Sequence, residues 1–88
     1  LDKYNFTKGF WGTNGISVTK GFSTPEVKEA MVKKHSMENC KKCYILADSS
    51  KFDRMSSVKF ADFDQATVLT TGLLKPALKK YKNIVEVK

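Results

Sequence analysis

The stretch Cys43–Phe52, which reads Cys-Tyr-Ile-Leu-Ala-Asp-Ser-Ser-Lys-Phe, decides the fold predicted for this chain. It opens as an apolar run and changes within one residue to an acid, two hydroxyls and a base. A short apolar run bounded by polar residues is typical of a strand buried on both faces, as in parallel sheets. Ligands of open α/β sheets bind outside the carboxyl ends of the strands. We therefore expect Asp48, Ser49, Ser50 and Lys51 to face a small, polyhydroxylated, anionic ligand.

Length and composition limit the remaining possibilities. The 88 residues make at most one domain, and an apolar fraction of 41% with six Phe indicates a globular chain. No apolar run approaches the roughly 20 residues of a membrane span, and residues 1–5 lack the apolar core of a secretory signal. We expect a cytoplasmic protein with no membrane partner.

The net charge of +7 comes from sixteen basic and nine acidic residues. Arg54 is the only arginine, and the lysines are scattered along the chain. Surfaces that read DNA sequence rely on arginine for bidentate contacts to guanine. This pattern favours a solvated surface, with direct nucleic-acid binding as an alternative.

Cys40 and Cys43 form a C-x-x-C motif between a helical pattern and a strand. Redox motifs of the thioredoxin type lie at a helix N-terminus, where the dipole lowers a thiol pKa. A zinc site needs four ligands, and only His35 is nearby in the sequence. We expect reduced thiols, and neither a metal nor a cofactor.

The chain alternates between strand and helix patterns. A long loop is predicted from Thr13 to about Ser23, followed by a helix to about Asn39. Ser23 and Glu26 have capping-box spacing, and Pro25 suits the first turn. A second, short helix is predicted at Lys75–Tyr81, and residues 1–7 suit the end of a helix. The predicted strands are Lys8–Gly12, Cys43–Ala47, Ser57–Phe60, Ala66–Thr71 and Ile84–Val87. This order predicts an α/β fold with a mainly parallel sheet.

Three polar loops follow predicted strands and would share one edge of that sheet: Gly12–Gly15, Asp48–Lys51 and Thr70–Gly72. Backbone N–H groups near glycines bind phosphate oxygens, Asp48 can accept hydrogen bonds from sugar hydroxyls, and Lys51 supplies a cation. The candidate ligand-binding residues are Gly12, Asn14, Gly15, Thr24, Asp48, Ser49 and Lys51. The alternative is that Asp48 only caps the turn that follows it.

The order of these motifs resembles the C-terminal effector-sensing domain of DeoR-type sugar-metabolism repressors. The likeness runs from about Tyr4 to Val87. The motifs that carry it are Gly12–Ser17, Gly21–Pro25, Glu29-Ala30 with Lys33, and Leu46–Phe52. One departure is Thr71, where the family tends to have Asp.

The resemblance implies a Rossmann-like sheet similar to ribose-5-phosphate isomerase and CoA-transferase domains. It also implies binding of a phosphorylated sugar, such as a tagatose or fructose phosphate, and consequent release of operator DNA. Asp48, Lys51, Gly12, Asn14 and Gly15 correspond to the family's effector site. The sequences of these loops most resemble those of repressors linked to lactose or fructose phosphotransferase systems.

Compared with the family, residues 1–88 correspond to the C-terminal portion of the sensor domain. The resemblance implies that the DNA-binding helix-turn-helix and the first half of the sensor domain are absent from this chain. We expect sheet edges left open in this way to favour a homo-oligomer. The alternative function on this fold is a sugar-phosphate isomerase, which needs a carboxylate base such as Asp48.

Overall fold

A computed structural model describes residues 6–72 and 74–87, in which strands form two sheets around one α-helix. The helix α1 spans Val27–Glu38. The strands are β1 (Phe6–Gly12), β2 (Gly15–Ser17), β3 (Gly21–Thr24), β4 (Cys40–Asp48), β5 (Val58–Ala61), β6 (Thr67–Thr71) and β7 (Ile84–Glu86). Single 3-10 turns lie at Ser49–Lys51, Phe63–Gln65 and Pro76–Leu78.

The larger sheet has the strand order β1-β4-β6-β7, and each of its pairings is parallel. This parallel sheet confirms the predicted α/β class. The strand that contains Ile45 lies inside the sheet and is longer than expected, since it begins at Cys40 and ends at Asp48. The three other strands predicted for this sheet are present with small shifts at their ends.

The prediction that β4 is buried on both faces is wrong for this chain. Ile45 and Val68 are fully buried in the core cluster, to which α1 contributes Ala30 and Met37, whereas Leu46 remains 48% exposed and Phe10 56% exposed. The strands follow one another across the sheet in chain order. Because crossovers between parallel strands are right-handed, such an order places every connection on the same face. None of the connections between the described strands therefore covers the opposite face of the parallel sheet, which we call the open face.

The predicted loop between Thr13 and Ser23 is also wrong. This segment forms the antiparallel hairpin β2–β3, which joins β5 in a three-stranded sheet. Ile16 and Phe22 pair across the hairpin and are fully buried. The Phe22 ring packs against Phe60 and Phe63, with ring centroids 6.2 and 6.0 Å apart. Strands of three and four residues are too short to show an alternating pattern, so core packing rather than local sequence defines them.

The helix α1 begins later than predicted, and the capping box is absent. Glu26 is the N-cap and makes no side-chain capping bond, while Ser23 and Thr24 lie in β3. The Ser23 hydroxyl instead accepts a hydrogen bond from the Ser56 N–H at 2.8 Å. The second predicted helix is only the 3-10 turn Pro76–Leu78. The helical pattern expected for residues 1–7 falls largely outside the described residues.

Candidate functional site

The loops that follow β1, β4 and β6 meet at one edge of the parallel sheet, which we call the carboxyl-end edge. Gly12 is opposite Leu46 in the strand register, and Asp48 is opposite Thr71. The loop after β6 also lies against the loop after β4, because a methyl group at Gly72 would lie 2.6 Å from the Ser49 hydroxyl oxygen. The structure therefore gathers the predicted loops, as their positions after parallel strands indicated.

Asp48 lies at the end of β4 and caps the 3-10 turn Ser49–Lys51. Its Oδ1 accepts a hydrogen bond from the Ser50 N–H at 2.9 Å and another from the Ser50 hydroxyl. These two bonds lower the pKa of the Asp48 carboxyl below its ordinary 3.8, and the charges of Lys51 and Arg54 act in the same direction. Both bonds go to one oxygen, and no described residue donates to Oδ2. Asp48 can therefore cap its turn and still accept a hydrogen bond from a ligand.

Two cationic side chains belong to the same edge. Lys51 is half-buried, and its ammonium group makes no hydrogen bond or salt bridge to any described residue. Arg54 is exposed, close enough for its charge to lower the pKa of the Asp48 carboxyl. Sequence reasoning did not select Arg54, and the only signal available was that it is the sole arginine.

The backbone beside Arg54 is held in an unusual conformation. Asp53 has a φ of 61°, in the left-handed region that residues other than glycine rarely adopt. Its N–H donates to the Ile16 carbonyl at 2.9 Å, and its carboxylate pairs with Lys75 at 2.8 Å. Both contacts fix the position from which Arg54 extends.

The glycine-rich loop Gly12–Gly15 lies beside these groups, and its two glycines differ. A methyl group at Gly15 would lie 2.6 Å from the Arg54 carbonyl oxygen and 2.9 Å from the Ser23 hydroxyl, whereas one at Gly12 would have no neighbour within 4 Å. Gly15 is therefore required by the close approach of the Arg54 backbone. Gly12 faces open space.

Asn14 is exposed on this loop, and Thr24 lies beneath it. The Asn14 N–H donates to the Ser23 carbonyl at 3.1 Å, and the Thr24 hydroxyl donates to Asn14 Oδ1 at 3.2 Å. Thr24 is fully buried, so its contribution to a site passes through Asn14 rather than through contact with a ligand.

Sequence reasoning missed Thr13. Its hydroxyl lies 3.0 Å from the carbonyl oxygens of both Gly15 and Ser23. It therefore fastens the loop to β3.

The two cysteines lie away from this edge, at the beginning of β4. Cys40 and Cys43 are free thiols, and the Cys43 thiol donates to the Met37 carbonyl at 3.5 Å. Burial raises the pKa of Cys43 above its ordinary 9.0. Within the described ranges, no group of three or more His, Cys, Asp or Glu side chains could hold a metal ion.

The loops that follow the strands of this parallel sheet gather an acid, two cations and a glycine-rich turn, and this end of an open α/β sheet is where such folds bind ligands. The chain belongs to the DeoR C-terminal sensor-domain family, because the family model described as "DeoR C terminal sensor domain" matches residues 1–72.

Three curated relatives agree with this family. The chain is similar to the uncharacterized HTH-type transcriptional regulator FruR of Bacillus subtilis, with 39% identity over 88 residues that cover 100% of this chain and 35% of the relative. It is 37% identical to the HTH-type transcriptional regulator IolR of Bacillus subtilis over 82% of the chain and 29% of the relative. It is 35% identical to the HTH-type transcriptional regulator GlpR of Haloferax volcanii over 81% of the chain and 28% of the relative.

The chain thus spans about a third of the length of these relatives. All three are transcriptional regulators rather than enzymes, so they lend no support to the isomerase alternative. None of the helices in the described part of the chain has the length and apolar character that crossing a membrane requires.

Proposed function

We propose that this chain is the effector-sensing module of a DeoR-family repressor of sugar metabolism. It binds a phosphorylated sugar, such as a fructose or tagatose phosphate, and so relieves operator binding by the full-length cytoplasmic protein. The observation that carries the proposal is the gathering of Asp48, Lys51 and the Gly12–Gly15 loop at the carboxyl-end edge.

Each group at this edge matches a part of a sugar phosphate. Asp48 Oδ2 accepts a hydrogen bond from a sugar hydroxyl, while Oδ1 stays engaged with Ser50. Lys51 and Arg54 supply charge for the phosphate, and the guanidinium group adds bidentate geometry. A charge-assisted hydrogen bond contributes about 1.5–3 kcal/mol, so the loss of one weakens binding roughly 10- to 150-fold.

We propose further that the chain is the C-terminal portion of the sensor. Apolar side chains cross the open face of the parallel sheet in register, namely those of Phe10, Tyr44, Leu46, Leu69 and Val85. The Phe10 and Tyr44 rings stack with centroids 5.1 Å apart. Parallel sheets are normally covered on both faces, and the connections within this chain all lie on the other face.

An earlier segment of the full-length protein could add strands beyond β1, with the strand order running away from β4. Because crossovers are right-handed, the connections of those strands would then lie on the open face and cover it. The reversal of strand order would then fall beside β1 and β4, where Gly12 and Asp48 lie. Ligands of open α/β sheets bind at such a switch point. Operator contact belongs, in this proposal, to a separate helix-turn-helix domain, and the sensor forms a homo-oligomer.

Operator release by the full-length protein tests the proposed function. Asp48→Ala and Lys51→Ala are expected to bind the operator as the wild type does but not to release it when fructose or tagatose phosphates are added. Asp64→Ala and Lys79→Ala are matched controls, because both residues are exposed and neither belongs to the three loops at the carboxyl-end edge. Asp64 lies in the 3-10 turn after β5, and Lys79 follows the 3-10 turn Pro76–Leu78. If both site variants respond at wild-type sugar concentrations, the assignment is wrong.

A further inference from the structure

Lys33 on α1 is held in an unusual way for a lysine. Its Nζ donates to the Gly12 carbonyl at 2.8 Å and pairs with Glu29 Oε1 at 2.9 Å. The ammonium group also lies 5.2 Å from the centroid of the Phe60 ring. Only 14% of the side chain is exposed, so three elements of the fold surround a charge that is normally left in water.

Other ion pairs in the described chain lack these features. Lys59–Asp62 and Lys75–Asp53 join side chains that are 48–71% exposed. Pairs of that kind contribute little to stability, because water and salt screen them. Lys33 differs in that its ammonium group reaches a main-chain carbonyl at the start of the glycine-rich loop.

Glu29 holds Lys33 from the preceding turn of α1, so that Glu29, Lys33 and the Gly12 carbonyl form one network. Hydrogen bonding and charge from Lys33 lower the pKa of Glu29 below its ordinary 4.5. A separate contact holds the next part of the loop, because the Thr24 hydroxyl on β3 donates to Asn14 Oδ1 at 3.2 Å. The network therefore ties the start of the loop at Gly12 to α1.

We infer that Lys33 and Glu29 are positioning residues that hold the Gly12–Gly15 loop in the conformation that receives the effector. This inference rests on the proposed function. A loop fixed before the ligand arrives loses less entropy on binding, so the network raises affinity without touching the ligand. Phe60 provides the rigid support, because its ring is buried and stacks on Phe22 in the core.

The test is isothermal titration of the full-length protein with fructose and tagatose phosphates. Lys33→Met keeps the aliphatic stem and removes the charge, so it should bind the sugar phosphate about tenfold more weakly. Lys28→Met is the matched control, because Lys28 is exposed on the same helix. Lys33→Arg keeps the charge and the donors and should bind more tightly than Lys33→Met.

A second comparison separates positioning from general stability. The ring of Phe63 packs in the core against Phe22 and Tyr81, and none of its ring contacts is with Lys33 or Glu29, so Phe63→Leu should lower the melting temperature without removing a bond of the network. Well below its melting temperature, it should retain wild-type affinity. Should Phe63→Leu and Lys33→Met weaken binding to the same extent, the effect is one of stability and the inference is wrong.

Glu29→Gln covers the case in which Lys33→Met does not fold, since Glu29 is exposed. It should weaken binding in the same direction as Lys33→Met. Unchanged affinity in Glu29→Gln, or in a folded Lys33→Met, overturns the inference while the proposed function stands. If the wild type binds none of these sugar phosphates, both are overturned.

Discussion

Replacing the two glycines of the Gly12–Gly15 loop by alanine should have opposite effects on stability. A methyl group at Gly15 would lie 2.6 Å from the Arg54 carbonyl oxygen, whereas ordinary van der Waals contact begins near 3.4 Å. The obstacle is main chain and cannot turn away as a side chain would. It is also anchored, because Asp53 next to it donates its N–H to the Ile16 carbonyl at 2.9 Å.

The magnitude follows from two opposing terms. Overpacking of this kind costs about 1–3 kcal/mol, and the reduced freedom of the unfolded chain returns about 0.4–1 kcal/mol. The difference between these terms runs from about 0 to 2.6 kcal/mol, and the 2.6 Å approach to main chain favours its upper half, so Gly15→Ala should destabilise the protein by about 1.3–2.6 kcal/mol. Gly12→Ala meets no atom within 4 Å, so only the second term remains and the protein should gain about 0.4–1 kcal/mol.

Urea unfolding of the sensor domain measures the difference directly. Linear extrapolation gives the free energy of unfolding, and an unchanged slope shows that the unfolded state is comparable. Neither glycine lies among the described residues with positive φ, so backbone strain does not complicate the comparison. The reasoning is refuted if Gly15→Ala is as stable as the wild type, or if Gly12→Ala is the more destabilised of the two.

Three further predictions concern the sheet, the acid and the thiol. Ile45→Ala should cost about 2–5 kcal/mol in urea unfolding, whereas Leu46→Ser should cost under about 0.5 kcal/mol in the isolated chain and clearly more in the full-length protein. Equal costs of Leu46→Ser in both would contradict the proposal that an earlier segment covers the open face. The pKa of Asp48 is lower in the folded protein than its ordinary 3.8, so the ionised carboxylate stabilises the fold at pH values above 3.8. This contribution is lost as the pH falls through the lower pKa of the folded state. Thermal melts should therefore show a steeper acid loss for the wild type than for Asp48→Asn, and parallel curves would count against the Ser50 hydrogen bonds. Because burial raises the pKa of Cys43 above 9.0, iodoacetamide should label it more slowly at neutral pH than it labels the unfolded chain, as mass spectrometry can determine.

The parallel sheet was predictable because its strands carry their own local signal. The run of β-branched residues that ends at Thr71 predicts β6, and the parallel order of the strands predicts the carboxyl-end edge. The hairpin β2–β3 was not predictable in this way. Its burial depends on residues far along the chain, because Phe22 stacks on Phe60 of β5 and Ile16 pairs with Phe52 in an isolated bridge.

The faces of β4 show a different limit. An apolar run indicates that side chains prefer burial, but it does not say which segment covers them. Leu46 has the composition of a core residue and remains half exposed in this chain. The roles of Lys33 and Thr24 were likewise hidden, because their partners Gly12 and Asn14 lie 21 and 10 residues away along the chain.

The most direct test of the central claim is isothermal titration of the full-length protein with fructose and tagatose phosphates. The unphosphorylated sugars and inorganic phosphate serve as reference titrations. The account predicts saturable binding of at least one sugar phosphate, weaker or no binding of the reference compounds, and roughly 10- to 150-fold loss of affinity in Lys51→Ala. Absence of binding by every sugar phosphate, or wild-type affinity in both Lys51→Ala and Asp48→Ala, would contradict it.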